Sequence, residues 1–331
     1  MLSDFRERVW GTRDLSRIYP YYPTGERPIG EVWLTGDENR VANGPLAGQT
    51  LADVCGLHAA DLLGPPHSTS AAGPGAGEAR FPLLMKFIFP VDRLSVQVHP
   101  DDAAAQSVGL PCGKTECWYV VDAVAGARIA LGVKPGTGRP QVESAVRNGT
   151  LEELLNWTEI HAGELYYIDA GTVHCISAGS VLLETQQNSD TTYRLYDYGR
   201  GRELHVEQAL DCLKTSTRAG RVIPHAIMPE RVTLVSAPRF VVERFDLQKI
   251  QELSTGAGSG LSSVQILVAL AGCGVVEAGD AQPVSFAQGQ AVIVPAATGS
   301  FSIKPQWTLE FIRASLPLQP VAEPETQSVA S

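Results

Sequence analysis

The chain has 331 residues, a formal net charge of −10 and a pI near 5.2. That length accommodates two domains or one elaborated one, and an acidic balance without a dense Lys/Arg run argues against a nucleic-acid or anionic-membrane partner. No apolar stretch approaches the roughly 20 residues of a membrane span, and the opening MLSDFRERVW lacks the apolar core of a signal peptide, so a cytosolic protein is expected.

In chain order, PPHSTSAAGPGAGEA at 65–79 is rich in small residues, Gly and Pro and lacks apolar periodicity, which predicts a loop. Short Val-, Ile- and aromatic-rich segments follow: PLLMKFIFPV, LSVQVHP, CWYVVDA and ARIALGV, each of β type. Leu/Val spacing of three to four predicts a helix in QVESAVRNGTLEELLNW, then strands return in ELYYIDA and SVLLETQ, and ELHVEQALDCLKTS reads as a second helix. The pattern resumes in FVVERFDL, SVQILVALAG, GVVEA, AVIVPA and FSIKP, with TGAGSG at 255–260 as a connector. PVAEPETQSVAS has no core pattern and is expected to fray. The whole predicts an all-β sandwich or barrel with helical inserts. Cys55, Cys112, Cys117, Cys175, Cys212 and Cys273 form no CxxC pair, so disulfides and a thiolate zinc site are disfavoured.

Four polar residues fall on these strand-like segments. Gln97 and His99 are two apart in an alternating stretch and therefore share a face. With Glu116 and His174 they make a donor set suited to a divalent metal. A repeat frames the last of them. Gly163 to His174 and Gly289 to Ser300 share a glycine, five residues, a turn and a strand entry, with Ser300 standing where the first copy has His174. Gly109-LPC-Gly113-Lys114-Thr115 imitates a phosphate loop, but the glycine spacing is one residue short and a strand rather than a helix follows.

The repeated frame resembles the second signature of the cupin superfamily, which implies a mainly β chain of two cupin-like barrels (double-stranded β-helix or jelly-roll) with helical inserts. The strings FPLLMKFIFPVDRLSVQVHPDD, GKTECWYVVDA, GTVHCIS and ETQQNSDTTYRLYDYGR are similar to the short bacterial form of the type I mannose-6-phosphate isomerase family, most strongly from Phe81 to Leu204. The resemblance implies a catalytic N-terminal cupin domain at 1–220, a C-terminal cupin-like domain without metal ligands at 221–318 and a disordered tail at 319–331. It implies one zinc ion per chain held by Gln97, His99, Glu116 and His174, and reversible conversion of mannose 6-phosphate to fructose 6-phosphate through a cis-enediol.

In that reading Glu184 is the candidate base, with a structural pairing to Arg194 as the other possibility. Arg194 steadies the enediolate or binds phosphate, and Lys114 and Lys86 line the pocket. Where longer family members carry a lysine in a RAGLTPK string, this chain offers Arg200 or Arg202. The partner is a small hexose 6-phosphate, and neither oligomeric state nor pathway direction is encoded. A non-catalytic sugar-phosphate binding module and an Fe(II) cupin oxygenase are the alternatives from other classes; the lysines and arginines and Gln97 as a ligand argue against iron chemistry.

Overall fold

The computed structural model describes residues 1–22, 25–68, 80–258 and 260–328. Antiparallel pairing organises the chain into two barrels. In the first, an eight-stranded sheet passes from neighbour to neighbour through Asp4–Thr12, Ile29–Thr35, Leu83–Ile88, Ser180–Gln187, Glu116–Ala123, Leu165–Ile168, Gly220–Val222 and Thr326–Gln327. A five-stranded sheet lies against it, in the order Tyr193–Tyr196, Val96–Val98, His174–Ile176, Arg128–Val133 and Leu155–Glu159. Inward residues of both, among them Ile88, Trp118, Val120, Ile129, Leu131, Ile168, Ile176 and Leu182, form the barrel core. The outer face of the smaller sheet is covered by the helices Arg139–Asn148 and Val206–Cys212, through Val142, Ala145, Ala209 and Leu210.

The second barrel is built on two long strands, Gln265–Glu277 and Ser300–Ser315, joined in a sheet with His225–Met228, Arg231–Ser236, Val241–Leu247 and Val284–Ala287. Gln251–Ser254 pairs with one long strand and Ala291–Val294 with the other. Bulges beside Ala269 and Gly272 let the long pair bend from one side of the barrel to the other. Its own core gathers Phe245, Leu267, Phe286, Phe301, Ile303 and Phe311.

A third apolar layer joins the barrels. Strand alternation sends Met85, Phe87, Cys117, Tyr119 and Leu183 out of the first barrel, where they meet Leu234, Val242, Ile266, Val268 and Ile312 of the second and the helix Leu51–Leu63. That helix starts with a capping box in which Thr50 Oγ1 accepts from Asp53 N and the Asp53 carboxylate accepts from Thr50 N.

Several expectations need correction. The segment 141–157 is helical only to Asn148; Gly149 takes a left-handed C-cap (φ 72°), a single 3₁₀ turn follows, and Leu155–Glu159 is a strand. The 65–79 loop opens with a short helix, Pro65–Ser68, and its remainder lies outside the described residues. The tail is not disordered through residue 328: Thr326–Gln327 pairs with Arg221 and Val222, and Tyr167 Oη donates to Glu323 at 2.5 Å. Two paired residues leave no periodic trace in sequence, which is why the segment read as frayed. Gly220–Val222 completes the first sheet, so the chain passes to the second only after Val222.

Candidate metal centre and active site

Period-two alternation selects the inner wall of the first barrel. Across the larger sheet Trp33 is opposite Lys86, Lys86 opposite Glu184, and Glu184 opposite Trp118; Gln186 pairs with Glu116 one step along. Across the smaller sheet Arg194, Gln97, His174 and Leu131 form a matching row. His99 and Lys114 come from loops held together by Gly113. A Cβ there would lie 2.5 to 2.8 Å from the backbone of residues 100–102, so only glycine permits this approach. Asp102 Oδ1 accepts from Gly113 N at 2.8 Å and Gln187 Nε2 at 2.9 Å, tying QVHPDD to GKTE.

His99, Glu116 and His174 converge, with their ligand atoms within 4.8 Å of one another, and all three are buried. Each imidazole Nε2 lies 3.5 Å from a different Glu116 oxygen. A tetrahedral zinc with bonds of about 2.0–2.1 Å sets its donors about 3.4 Å apart. The opposite ring nitrogens are engaged: His99 Nδ1 donates to Thr191 O at 2.8 Å and His174 Nδ1 to Thr172 O at 2.9 Å. These bonds fix the tautomer that turns an unprotonated Nε2 inward, as metal ligation requires; His99 Nε2 accepts from Lys114 Nζ at 2.9 Å. Burial first, then the Lys114 charge, hold His99 well below its ordinary pKa, and burial takes His174 to about 4, so both rings stay neutral.

Gln97 is at the same centre, its amide nitrogen 3.1 Å from His174 Nε2 and its oxygen accepting from Ser95 Oγ at 3.0 Å. A half-turn of the amide exchanges the two and presents an oxygen donor. Glu116 Oε2 has the Lys114 ammonium at 2.9 Å without hydrogen-bond alignment and is otherwise unpartnered. An unsatisfied buried acceptor costs about 1–3 kcal/mol, and more when charged. A cation bonded there removes that penalty, so these residues fit a divalent ion such as zinc.

The centre opens into a cavity of about 390 Å³. Its wall carries Arg8, Lys86, Lys114, Arg194 and Arg202 against Glu7, Glu31, Glu116, Glu184 and Asp190, five cations to five carboxylates. A divalent ion tips this balance to +2, which suits a dianionic ligand. Glu184 is fully buried between Lys86 and Lys114, 3.5 Å from each. Burial, with Glu116 adding to it, pushes its pKa up to about 7 against the pull of both lysines.

The alternative pairing of Glu184 with Arg194 is not formed. Among the described residues Arg194 makes no ion pair, and its buried Nε has no partner. Arg202 lines the cavity while donating from Nε to Asp197 at 2.8 Å. Arg200 does not line it: its guanidinium turns to Asp197, Asp92 and the Arg93 carbonyl, leaving Arg202 as the nearer of the two expected cations.

Sequence reading missed Glu31, Trp33 and Arg8. Glu31 is buried and accepts from Arg8 Nη2 at 2.5 Å, Trp33 Nε1 at 3.0 Å and Lys86 Nζ at 3.3 Å. Burial alone would raise its pKa, but Lys86 and Arg8 pull it to about 2. The alternation of GEVWLT, with Glu31 and Trp33 on one face, was the available signal.

No family model matches the chain. Among curated relatives it is 34% identical over 289 residues to a mannose-6-phosphate isomerase of Streptococcus mutans, covering 84% of this chain and 86% of the relative. It is 34% identical over 260 residues to the mannose-6-phosphate isomerase ManA of Bacillus subtilis, covering 73% and 77%. The crystal structure of mannose 6-phosphate isomerase from Bacillus subtilis superposes with a TM-score of 0.81 at 30% identity over 95% of this chain and 98% of that one. A zinc-bound mannose 6-phosphate isomerase shares the fold at 15% identity, with a TM-score of 0.72 over 96% and 98%.

Fold and site together define a double cupin whose first barrel buries a His–Glu–His cluster able to hold a metal ion. With relatives this similar over most of its length, the chain belongs to the mannose-6-phosphate isomerase family.

Proposed function

We propose that this protein interconverts mannose 6-phosphate and fructose 6-phosphate at a single zinc ion held by Gln97, His99, Glu116 and His174. The observation that carries the reading is the meeting, in one cavity, of a His–Glu–His donor set with a buried carboxylate of raised pKa between two lysines. When bound, the ion supplies Lewis-acid polarisation of the sugar oxygens.

Glu184 takes the C2 proton as general base, its pKa being near the working pH. The C2–H electron pair becomes the second C1–C2 bond while the carbonyl pair moves to O1, giving a cis-enediol once O1 gains a proton. Loss of the O2 proton then forms the C2 carbonyl, and Glu184 returns its proton to C1. Lys114 is suited to hold the proton that O1 gains and O2 loses, and the Lys86 ammonium faces the same oxygens. Arg194 and Arg202 offer forked donors to the phosphate.

We assign the reaction to the first barrel, which extends through Val222 rather than ending at the expected residue 220, and read the remainder to residue 318 as a barrel without metal ligands, since Ser300 stands in the position of His174. No described helix is long and apolar enough to cross a membrane. All six cysteines are free thiols, which suits the reducing cytosol, and the net charge of −10 favours a small sugar phosphate over a nucleic acid as partner.

A coupled assay with mannose 6-phosphate tests the proposal. Isomerisation abolished by chelation and restored by zinc, at about one equivalent per chain, is the expected outcome. Binding without turnover, or oxygen consumption with Fe(II), overturns it.

A further inference from the structure

One cavity cation lies outside every motif discussed so far. Arg8 sits on Asp4–Thr12, the edge strand of the larger sheet in the first barrel. Its stem is seated by Gly30: a Cβ built there would fall 2.4 and 2.6 Å from Arg8 Cβ and Cγ and 2.7 Å from the Trp10 ring. The side chain therefore occupies space that any residue but glycine would take. Its head is held as well, Nη2 by Glu31 Oε2 at 2.5 Å and Nη1 by the Glu7 carbonyl at 3.1 Å. A guanidinium has five N–H donors, so most remain available, and the side chain keeps 28% of its surface exposed on the cavity wall.

Charge compensation for Glu31 does not account for this placement alone. Glu31 already has the Lys86 ammonium at 3.3 Å and the Trp33 indole at 3.0 Å. The same cavity holds Arg194, which has a buried, unpartnered Nε; burial first, then the Arg202 charge and more weakly Arg8, act against its charged form, opposed by Asp197 and Asp190. Arg8 is paired with Glu31 and Arg202 with Asp197, which leaves Arg194 as the cavity guanidinium without an ion pair among the described residues, and forked Arg–phosphate contacts to an anion with several acceptor oxygens would engage the free donors of all three. The ladder Arg8–Glu31–Lys86–Glu184 alternates in charge from the edge strand to the candidate base, so the groups that flank Glu184 also fix Arg8.

We propose that Arg8 is a substrate-binding residue that completes, with Arg194 and Arg202, a three-guanidinium cradle for the phosphate of the sugar substrate. This rests on the hexose-phosphate reading above, and it gives the N-terminal strand a role in recognition.

Arg8→Met should raise KM for mannose 6-phosphate about 10- to 100-fold, as loss of a charged hydrogen bond predicts, with kcat changed far less. The inhibition constant of inorganic phosphate should rise in parallel, and Arg8→Lys should recover part of both. In the unmodified protein, inorganic phosphate should shield Arg8 from an arginine-specific dicarbonyl reagent, read by peptide mass; this arm requires neither a folded variant nor turnover. An unchanged phosphate inhibition constant in folded Arg8→Met, or modification of Arg8 at the same rate with and without phosphate, overturns the proposal. Turnover by the unmodified protein decides the parent reading separately.

Discussion

The two barrels enclose cavities of similar size, about 390 Å³ in the first and about 370 Å³ in the second, yet their polar interiors differ in kind. In the second, Arg313 donates from Nε to Glu243 at 2.8 Å and from Nη1 to Gln265 at 3.2 Å, and Arg231 holds the other Glu243 oxygen at 2.6 Å. No buried polar atom of that cluster lacks a partner among the described residues. In the first, Glu116 Oε2, Glu184 Oε1, Arg194 Nε and Trp118 Nε1 are all buried without a hydrogen bond. A saturated network is a structural core, whereas groups kept short of partners mark the place where a ligand supplies them. Volume alone would not have told the barrels apart.

The sharpest way to break this contrast is to write the second barrel into the first. His174→Ser reproduces the residue of the second turn; activity should fall at least about 10⁴-fold as Lewis-acid assistance is lost, with bound zinc disappearing in metal analysis and the circular dichroism unchanged. Glu184→Gln should lower kcat by about 10²–10⁴ in steady-state assays while zinc content and KM stay near those of the parent, separating proton transfer from ion binding. The reciprocal change belongs to stability. Arg313→Met leaves Glu243 with Arg231 alone, and denaturant titration should show a loss of about 1.5–3 kcal/mol, the worth of a charged hydrogen bond, whereas kcat/KM of the folded variant should move by less than about twofold, the residue lying in the other barrel. Smallest is the effect of ending the chain at residue 318. Removing the Thr326–Gln327 pairing and the Tyr167–Glu323 bond should cost about 1–3 kcal/mol in the same titration, with turnover preserved.

Much of the site was legible because strand alternation is a local signal. The spacing of Gln97 and His99 predicted one wall for both, and both meet His174 although His99 lies just past the strand Val96–Val98; Glu184 shares its face with the core residue Leu182 as alternation requires. Residues whose role depends on distant partners were harder. Arg200 and Arg202 are nearly adjacent in sequence, and only the positions of Asp92 and the Arg93 carbonyl decide that one turns away. Arg8 and Glu31 meet through strand pairing across a long connection that no short window records. Other misses had visible cues: Leu51, Val54, Cys55 and Leu62 follow helical spacing behind the Thr50–Asp53 box, and Asn148-Gly149 marks the helix end that the apolar pattern ran past.

The apolar layer between the barrels has a consequence for how this chain can be dissected. Every strand that presents Lys86, Glu116 or Glu184 to the cavity turns its neighbouring side chains, Met85, Phe87, Cys117 and Leu183, into a seam shared with the other half. The second barrel thus serves as a backplate for the strands that carry these cavity-facing groups. A fragment cut at residue 220 would bare a greasy wall and lose the rigidity that sets ångström-scale spacing, so the smallest working unit is both halves together.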